Sequence, residues 1–492
     1  MRSFARTTVA LAALAAACST PRTAPAPMDA GRFTREFRGV WVATVANIDW
    51  PSRPTLSPDQ QRAEMIDILD RAAGQGYNAV VLQVRPAADA VYRSDLEPWS
   101  VLLTGQQGTD PGYDPLEFAV AEAHARGLEL HAWINPFRAG NAADTVRFAP
   151  SHVWNTRRHF VRLYGAQLWM DPGDAEAREH SLRVVSDIVR RYDIDAVHMD
   201  DYFYPYPVRD TATGGNRAFP DSATYARSGG GLALNDWRRA NIDDFVRRMY
   251  QEVHAVKPMI RVGISPFGIW RPGNPASVQG LDAYDQIFAD ARKWLQEGWV
   301  DYLAPQLYWS IAAPQQGFPA LYDWWLEQNT QGRHVWPGLA TYRAGSSASN
   351  GFALTEIADQ VRLIRQRSAP PGHIMYNGTT TLKRPQFTAT IAPLFATRAI
   401  PPAYPWLGSG TPAPPTIGVS GRTVSFSAAE TPRWWAVNAR TDGGMFGRSR
   451  SLARLVFGTS SAVTLEFEPQ HVTVNAVDGA GNMSADATWR RP

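Results

Sequence analysis

The sequence predicts an α/β chain in which a (β/α)8 TIM barrel is followed by a small all-β sandwich. The first observation is that short β-branched or aromatic runs alternate with helical patterns from residue 38 to residue 397. The second is a change past residue 400, where a Pro/Gly-rich stretch leads into strand-like runs without helical periodicity. The third is the length of 492 residues, which exceeds one ordinary domain and accommodates a barrel with a second domain.

The amino terminus has the features of an export signal. Two arginines precede an apolar stretch from Val9 to Ala17, which is shorter than the roughly 20 residues that cross a bilayer. Cys18 is the only cysteine, and the residues before it are similar to a bacterial lipobox. Because a single cysteine forms no internal disulfide, we expect its thiol to carry a lipid, with simple cleavage and release as the alternative. Residues 1–18 are therefore predicted to be a lipoprotein signal peptide, and residues 19–34 a flexible Pro/Ala-rich tether.

Eight strand candidates alternate with helical patterns between residues 35 and 400. The strands are predicted at 38–45, 78–86, 128–137, 195–203, 260–270, 301–309, 334–342 and 372–378. Helices are predicted at 58–74, 115–126, 176–191, 236–256, 286–297, 318–328 and 354–366, with a last one within 380–397. Parallel strands joined by crossovers must be covered on both faces, and a closed eight-fold barrel achieves this. An open doubly wound sheet also fits the alternation, but it usually has fewer units.

A Pro/Gly-rich linker is predicted at 401–415, before an all-β module at 416–492. The module contains the runs TVSFSA, WWAVNAR, VTLEFEP and HVTVNAVDGAGN, whose spacing favours a small sandwich. DGAGNMS near its end resembles the last hairpin of fibronectin type III-like modules. Trp434 and Trp435 could form a sugar platform, although a core position suits at least one of them better.

Composition and motifs exclude several classes of function. With 49 basic and 46 acidic side chains, the chain lacks the positive charge of a nucleic-acid binder, so we expect no nucleic-acid partner. His124, His131 and His198 lack the paired spacing of zinc ligands, so we expect no metal, and we expect no cofactor either. Ser265 lies in GISPFG, which is not the nucleophile elbow of a serine hydrolase.

Polar and aromatic residues occur together where the predicted barrel strands end, and in such barrels this edge carries the active site. Hydrogen-bonding groups beside flat aromatic faces suit a polyhydroxylated sugar chain, so we expect a glycan polymer as substrate. The predicted substrate-binding residues are Asp49, Arg85, Asp89, Trp133, Asn135, Tyr202, Tyr204, Phe267, Trp270, Gln306, Tyr308, Trp309 and Tyr342.

Asp200 and Asp201 in AVHMDDYFYPYP are the predicted catalytic residues. Glycoside hydrolysis needs a protonated carboxyl group and usually a second carboxylate. Neighbouring residues of a strand point to opposite faces, so both can reach a cleft only where the strand ends. A structural alternative is a turn cap or an ion pair with Arg138.

The late predicted strands supply no second carboxylate at their ends. Asp49, Asp89 or Glu97 from an early loop could take that part. The alternative is assistance from the N-acetyl group of the substrate itself, with one aspartate orienting that group and the other donating the proton.

The same residues resemble a bacterial family of glycosyl-hydrolase-like barrels, formerly known only as a domain of unknown function. The matching stretches, within residues 37–377, are FRGVWVATVANIDWPS, QVRPAADAVYRSDLEPWSVLLTGQQG, PGYDPLEFAVAEAHARGLELHAWINPFR, HMDDYFYPYP, GISPFGIWRPG and DYLAPQLYW. The resemblance implies a (β/α)8 barrel that hydrolyses β-1,4 bonds of MurNAc–GlcNAc strands stripped of stem peptides, with HMDDYF at its centre. It also implies a cell-envelope lipoprotein, anchored through Cys18 to the outer membrane and facing the periplasm, with divisome proteins as candidate partners.

Two other functions stay open at this point. One is a non-catalytic glycan-binding lipoprotein, in which barrel and sandwich serve only to localise the chain. The other is a hydrolase of a different polysaccharide, such as poly-N-acetylglucosamine or an α-glucan, because barrels of this kind act on many sugars.

Overall fold

The computed structural model describes residues 33–442 and 451–492. The predicted signal peptide, Cys18 and all but the last two residues of the predicted tether therefore lie outside the described residues. Within the described ranges, no helix combines the length and the apolar character that a bilayer crossing requires.

Within residues 33–442, eight parallel strands form the predicted barrel. They are β1 Phe37–Val42, β2 Ala79–Arg85, β3 Glu129–Ile134, β4 Ala196–Met199, β5 Arg261–Ile264, β6 Tyr302–Leu303, β7 in two pieces (His334–Val335 and Gly338–Ala340) and β8 Gly372–Tyr376. A parallel pair, Thr34–Arg35 with Ala399–Ile400, lies beside the barrel. The predicted α/β barrel class is confirmed.

The two pieces of β7 close the barrel because they pair with different neighbours. His334–Val335 pairs with β6, whereas Gly338–Ala340 pairs with β8. β8 in turn pairs with β1, so the parallel sheet returns to its first strand.

Helices follow the strands and cover the outside of the barrel. The main ones among the described residues are α1 Pro58–Gln75, α2 Pro115–Ala125, α3 Ala175–Arg191, α4 Leu234–Val256, α5 Ala291–Gln296, α6 Phe318–Glu327, α7 Glu356–Arg367 and α8 Gly378–Lys383. Shorter helices are Val101–Thr104, Val153–Thr156, Ser222–Ser228, Ala283–Gln286 and Pro385–Ile391, and 3-10 turns are Val45–Asn47, Ala142–Arg147, Arg158–Phe160, Thr341–Arg343 and Ala392–Phe395.

Helix α1 shows how the sequence sets the ends of these elements. Ser57 and Gln60 form a capping box, in which each side chain accepts a hydrogen bond from the other residue's backbone N–H. Pro58 occupies the first turn, where no backbone donor is needed. Gly76 ends the helix at a φ of 92°, a left-handed conformation that glycine adopts without strain.

The predicted strands 195–203, 260–270 and 301–309 are shorter in the structure, where β4, β5 and β6 end at Met199, Ile264 and Leu303. The residues after these ends leave the ladder and build the rim of the barrel. An additional antiparallel sheet of Arg138–Asn141, Val161–Tyr164 and Gln167–Met170 follows β3 at that rim. This sheet was not predicted, because its strands of four residues are too short to show periodicity in the sequence.

The carboxyl-terminal module is a sandwich of two antiparallel sheets, as predicted. Its described strands are β9 Thr416–Ser420, β10 Thr423–Ser427, β11 Trp434–Arg440, β12 Ser451–Phe457, β13 Ala462–Thr464, β14 His471–Val477 and β15 Ala487–Arg490. β9, β10 and β13 form one sheet, and β12, β11, β14 and β15 form the other. Trp435 lies in the core between the sheets and Trp434 packs toward the barrel; each is only 3% exposed, so neither offers a sugar platform.

The sandwich packs against the amino-terminal end of the barrel, opposite the end where β4 opens. Arg433 donates hydrogen bonds to Asp195, directly before β4, and to Asp193, at 2.7 Å each. His124 at the end of α2 stacks on Phe457 with ring centroids 4.4 Å apart. The predicted linker also takes part in this packing: Tyr404 is fully buried beneath the barrel.

Candidate active site

A cavity of about 170 Å³ opens at the carboxyl-terminal end of the barrel. Most of its lining groups are aromatic or neutral polar, which suits a sugar. The lining residues are Trp41, Val45, Gln83, Trp133, Asn135, Arg138, His198, Asp200, Tyr202, Ser265, Gln306, Tyr308 and Tyr376.

Asp200 lines this cavity and Asp201 lies behind it. β4 ends at Met199, so both aspartates lie beyond the strand, where the backbone is free to turn. Asp200 keeps 9% of its surface exposed and Asp201 only 3%. One oxygen of Asp200, Oδ1, accepts hydrogen bonds from the Asp201 backbone N–H at 2.8 Å and from Gln306 Nε2 at 3.1 Å. Its other oxygen, Oδ2, is therefore the one available to carry a proton.

Burial raises the pKa of Asp200 well above its usual range, and the neighbouring charge of Asp201 raises it further. Burial also raises the pKa of Asp201, but hydrogen bonds from Asp200 and Tyr206 counteract this rise. Because both aspartates are buried and adjacent, the two carboxyl groups titrate together, and the upward shift of the pKa is larger for Asp200 than for Asp201.

Tyr206 is the hydroxyl partner of Asp201. Its Oη donates a hydrogen bond to Asp201 Oδ2. The ring of Tyr206 lies edge-on to Tyr202 and Phe267, at centroid distances of 5.9 and 6.2 Å. The aromatic residues after the acidic pair therefore both shield it from water and supply a donor to it.

Beneath the cavity, five buried side chains form a hydrogen-bonded column along the barrel interior. Trp41 Nε1 donates to His198 Nε2 at 3.1 Å, and His198 Nδ1 lies 2.9 Å from Tyr302 Oη. Tyr302 Oη lies 2.8 Å from His131 Nδ1, and His131 Nε2 lies 3.1 Å from Glu129 Oε2. The column therefore joins the floor of the cavity to the opposite end of the barrel.

The chemistry of these groups sets the direction of every hydrogen bond in the column. An indole nitrogen can only donate, so His198 must accept at Nε2 and carry its proton at Nδ1. Tyr302 then receives that hydrogen bond and donates its own to His131, whose remaining N–H points to Glu129. Burial lowers the pKa of His198 well below its usual range, which keeps the ring neutral. Gly263 makes room for the column, because a Cβ at that position would lie 2.0 Å from the Tyr302 ring.

The predicted site residues fall into three groups in the structure. The first group lines the cavity: Trp133, Asn135, Asp200, Tyr202, Gln306 and Tyr308. The second group lies beside it: Asp201, Phe267, Trp309 and Tyr342. Tyr342 is 38% exposed and packs edge-on against Tyr308, so it extends the aromatic wall of the cavity outward.

The third group lies away from the cavity and includes Arg85 and Asp89. Arg85 is fully buried and donates to Glu97 at 2.7 Å, while His180 contacts Glu97 at 2.8 Å. Burial opposes the ionised form of Glu97, but the Arg85 charge and the His180 hydrogen bond outweigh it and hold the Glu97 pKa below its usual range. Asp89 accepts from the Ala87 backbone N–H in the loop after β2. These groups hold that loop in place.

Asp49 joins the first strand region to the last. It accepts hydrogen bonds from the backbone N–H groups of Ala43 at 2.9 Å, Gly378 at 3.2 Å and Thr379 at 2.7 Å. Both carboxylate oxygens are occupied in this way. Asp49 therefore stabilises the closure between β1 and the start of α8.

Tyr204 and Trp270 complete the third group. Tyr204 does not line the cavity; its ring packs edge-on against Phe219 at a centroid distance of 5.2 Å. Trp270 stacks on Trp324 at 5.7 Å and donates to Asp290 at 2.9 Å. Both rings are part of the packing around the rim.

Seven lining residues are absent from the predicted catalytic and substrate-binding residues, although four of them, Gln83, Arg138, Ser265 and Tyr376, lie at predicted strand ends; the other three are Trp41, Val45 and His198. Trp41, Gln83 and His198 occupy barrel strands in the interior, at alternate positions from residues that face the helices. Inward-facing polar or aromatic residues on such strands are the signal that could have identified them. Among the described residues, no group of three or more histidine, cysteine or acidic side chains is arranged to hold a metal ion.

A family model described as glycosyl hydrolase-like 10 matches residues 36–352. The chain belongs to this family. Among its relatives, glycosyl hydrolase YngK of Bacillus subtilis (strain 168) is 40% identical over 395 residues, covering 78% of this chain and 76% of that protein. Glycosyl hydrolase DigH of Escherichia coli (strain K12) is 36% identical over 368 residues, covering 68% of this chain and 82% of that protein.

Among solved structures, the chain is similar to the PgaB (BpsB) glycoside hydrolase domain from Bordetella bronchiseptica. The TM-score is 0.49 with 15% sequence identity, covering 75% of this chain and 100% of that chain. Membership of the glycosyl hydrolase-like 10 family, together with its hydrolase-named relatives, makes the chain a glycoside hydrolase. The prediction that the chain is a glycoside hydrolase is therefore confirmed. It is favoured over the alternative of a non-catalytic glycan-binding protein.

Proposed function

We propose that the chain hydrolyses β-1,4 bonds in peptidoglycan glycan strands from which the stem peptides have been removed. The observation that carries this proposal is the buried carboxyl group of Asp200, whose pKa burial and Asp201 raise well above its usual range, at the wall of a sugar-sized cavity lined by aromatic and amide side chains. A protonated carboxyl beside a bound glycosidic oxygen is what general acid catalysis of this reaction needs.

Asp200 is the proposed general acid. Gln306 donates its two amide hydrogens to Asp200 Oδ1 and to the Ser265 backbone oxygen, each at 3.1 Å, so the carboxyl group is held in one orientation. Asp200 Oδ2–H then transfers its proton to the leaving oxygen as the bond from that oxygen to C1 breaks. Asp201 remains ionised behind Asp200, and its charge stabilises the positive charge that develops on the sugar.

The nucleophile is proposed to be the N-acetyl group of the substrate. Among the lining residues of the cavity, Asp200 is the only carboxylic acid, and Asp49, Asp89 and Glu97 bind groups elsewhere. The acetamido carbonyl oxygen attacks C1 as the leaving oxygen takes the proton, and water opens the resulting ring with Asp200 as the base. This route predicts a product that retains the β-anomeric configuration, which NMR of the first product measures.

We also propose that the chain is a lipoprotein of the bacterial outer membrane, anchored through Cys18 and facing the periplasm, where divisome proteins are candidate partners. Support comes from the apolar stretch followed by the single cysteine. Metabolic labelling with a fatty-acid analogue tests it: the wild type is expected to incorporate the label, and Cys18→Ala is expected not to. Labelling of Cys18→Ala at the wild-type level would reject the anchor.

The catalytic proposal is tested with amidase-treated glycan strands, followed by mass spectrometry of the products. The wild type is expected to shorten the strands, whereas Asp200→Asn is expected to lower kcat by roughly 10²- to 10⁴-fold because it cannot donate the proton. Asp95→Asn is the matched control, since Asp95 is exposed and far along the chain from the acidic pair. Wild-type activity in Asp200→Asn, or no cleavage by the wild type between pH 4 and 8, would contradict the proposal.

A further inference from the structure

Arg138 is the only arginine or lysine among the residues that line the cavity. It is half-buried, and within residues 33–442 and 451–492 no acidic side chain forms an ion pair with it. Its guanidinium lies 5.7 Å from the centre of the Tyr202 ring. Several other partly buried arginines have a partner within the chain: Arg162 lies 3.0 Å from the carboxylate of Asp171, and Arg384 donates to the Thr341 backbone oxygen at 3.0 Å. A partly desolvated cation without a counter-ion at a binding cavity favours a ligand that carries an anion there.

The backbone of Arg138 belongs to the antiparallel sheet at the rim of the barrel. Arg138 starts the rim strand Arg138–Asn141 and pairs with Trp169 of the neighbouring strand. Trp169 is fully buried, and its Nε1 donates to the Phe203 backbone oxygen at 2.9 Å. This hydrogen bond joins the segment after the acidic pair to the sheet that carries Arg138, so the backbones of Arg138 and Asp200 are held at the same cavity. Such pre-organisation lowers the entropic cost of binding.

Peptidoglycan strands differ from other N-acetylglucosamine polymers in carrying a lactyl group, which can supply an anion to the Arg138 guanidinium. Every second sugar carries a lactyl ether whose carboxyl group is amide-bonded to the stem peptide. Hydrolysis of that amide leaves a free carboxylate on the sugar, whereas the peptide-bearing strand has a neutral amide there. The planar donors of a guanidinium fit a carboxylate with two parallel hydrogen bonds.

We infer that Arg138 is the residue that selects peptide-stripped strands, by binding the lactyl carboxylate that amidases expose. The inference rests on the proposed function, since it concerns the sugar bound at Asp200. It places the chain after an amidase in strand degradation, because the amidase reaction creates the group that Arg138 binds. It also explains how a cavity with few charges distinguishes a stripped strand from an uncharged N-acetylglucosamine polymer.

The test compares two substrates with the full-length chain: amidase-treated strands, and the same strands after their lactyl carboxylates are coupled to methylamine. The wild type is expected to show about 10²-fold higher kcat/KM on the free carboxylates. Arg138→Gln is expected to lose roughly that factor on the free carboxylates and to change less than about threefold on the amidated strands. Arg138→Lys, which keeps the charge without the planar fork, is expected to fall between them.

The matched control is Arg147→Gln in the 3-10 turn Ala142–Arg147, directly after the strand of Arg138, where Arg147 is exposed and paired with Asp144. It is expected to retain the wild-type preference. Equal wild-type rates on both substrates, or an equal loss on both in Arg138→Gln, would overturn the role of Arg138 and leave the proposed function standing. If the wild type cleaves neither substrate, the proposed function fails.

In that case the role of Arg138 is tested by binding alone. Calorimetry measures the affinity of Asp200→Asn for the free and the amidated GlcNAc–MurNAc disaccharides, and equal affinities would reject the role of Arg138.

Discussion

At the scale of single residues, Asp200 and Asp201 show that two identical neighbours acquire different chemistry from their surroundings. Asp200 faces the cavity and is held at one oxygen by Gln306. Asp201 faces inward and accepts from Tyr206. Burial favours the protonated form of both, but the hydroxyl donor favours the ionised form of Asp201. The surroundings therefore raise the pKa of Asp200 further than that of Asp201, although the two residues are identical in sequence.

Removal of the Tyr206 hydroxyl is expected to shift the pH dependence of the reaction. Its hydrogen bond lowers the pKa of Asp201, so Tyr206→Phe raises that pKa, and Asp201 loses its charge at a higher pH than in the wild type. The acid limb of the kcat/KM profile should move to higher pH. Tyr204→Phe is the control, because the buried Tyr204 hydroxyl has no hydrogen-bond partner among the described residues. An unmoved acid limb in Tyr206→Phe would show that Asp201 is not the group that titrates there.

At the scale of elements, the barrel interior combines apolar packing with the hydrogen-bonded column that supports the cavity floor. Tyr302 of β6 joins His198 of β4 to His131 of β3, so three barrel strands are connected through one hydroxyl. Gly263 of β5 leaves the space that the Tyr302 ring occupies. A glycine inside a strand weakens it, and here the gain is room for an aromatic side chain.

Because Tyr302 is part of the column, Tyr302→Phe is expected to lower the free energy of unfolding more than Tyr404→Phe does. Loss of the Tyr302 hydroxyl leaves one ring nitrogen on each of two buried histidines without a partner, which is expected to lower the free energy of unfolding by about 2–4 kcal/mol. Tyr404 is equally buried in the same apolar cluster, but its hydroxyl has no partner among the described residues. Tyr404→Phe is therefore expected to be neutral or slightly stabilising. Urea unfolding of both variants measures the difference, and equal stabilities would contradict the column.

At the scale of the whole molecule, the sandwich and the barrel meet through buried charges. Asp195 is fully buried and contacts Arg433 of the sandwich at 2.7 Å, His124 at 2.9 Å and Arg261 at 3.8 Å. Burial raises the pKa of Asp195, but the charges of Arg433 and His124 outweigh it and hold the pKa below its usual range. The interface therefore depends on an ionised carboxylate at the end of the barrel opposite the cavity.

Arg433→Met is expected to destabilise the chain by about 3–5 kcal/mol at neutral pH, because it removes a partner from a buried charge. A carboxylate with a depressed pKa in the folded state contributes stability above its unfolded pKa of about 3.9 and loses it as the pH falls further. The difference between Arg433→Met and the wild type should therefore shrink below about pH 4. Unfolding curves at several pH values measure it, with the exposed Arg422→Met as control. A difference that is constant down to pH 3 would argue against an ionic interface.

The alternation of strands and helices could be predicted from the sequence because it depends on local periodicity. Helix α4, predicted at 236–256, spans Leu234–Val256 in the structure. The predicted strand 301–309 is instead reduced to Tyr302–Leu303, because the residues after it turn toward the cavity. Those residues are as apolar and aromatic as a strand, so their composition could not show where pairing stops.

The sequence by itself determined the (β/α)8 barrel, the sandwich after it, and an acidic pair at the end of the fourth strand. It also determined the aromatic and amide character of the rim, because the residues that follow the strand cores can be read from the sequence even where the exact strand ends cannot. The tertiary structure decided which aspartate faces the cavity, because that depends on Gln306, which is 106 residues away in the chain. It likewise decided that Asp49 and Arg85 lie outside the cavity and that Arg138 lines it without a counter-ion. These outcomes depend on contacts between distant residues, which local patterns do not encode.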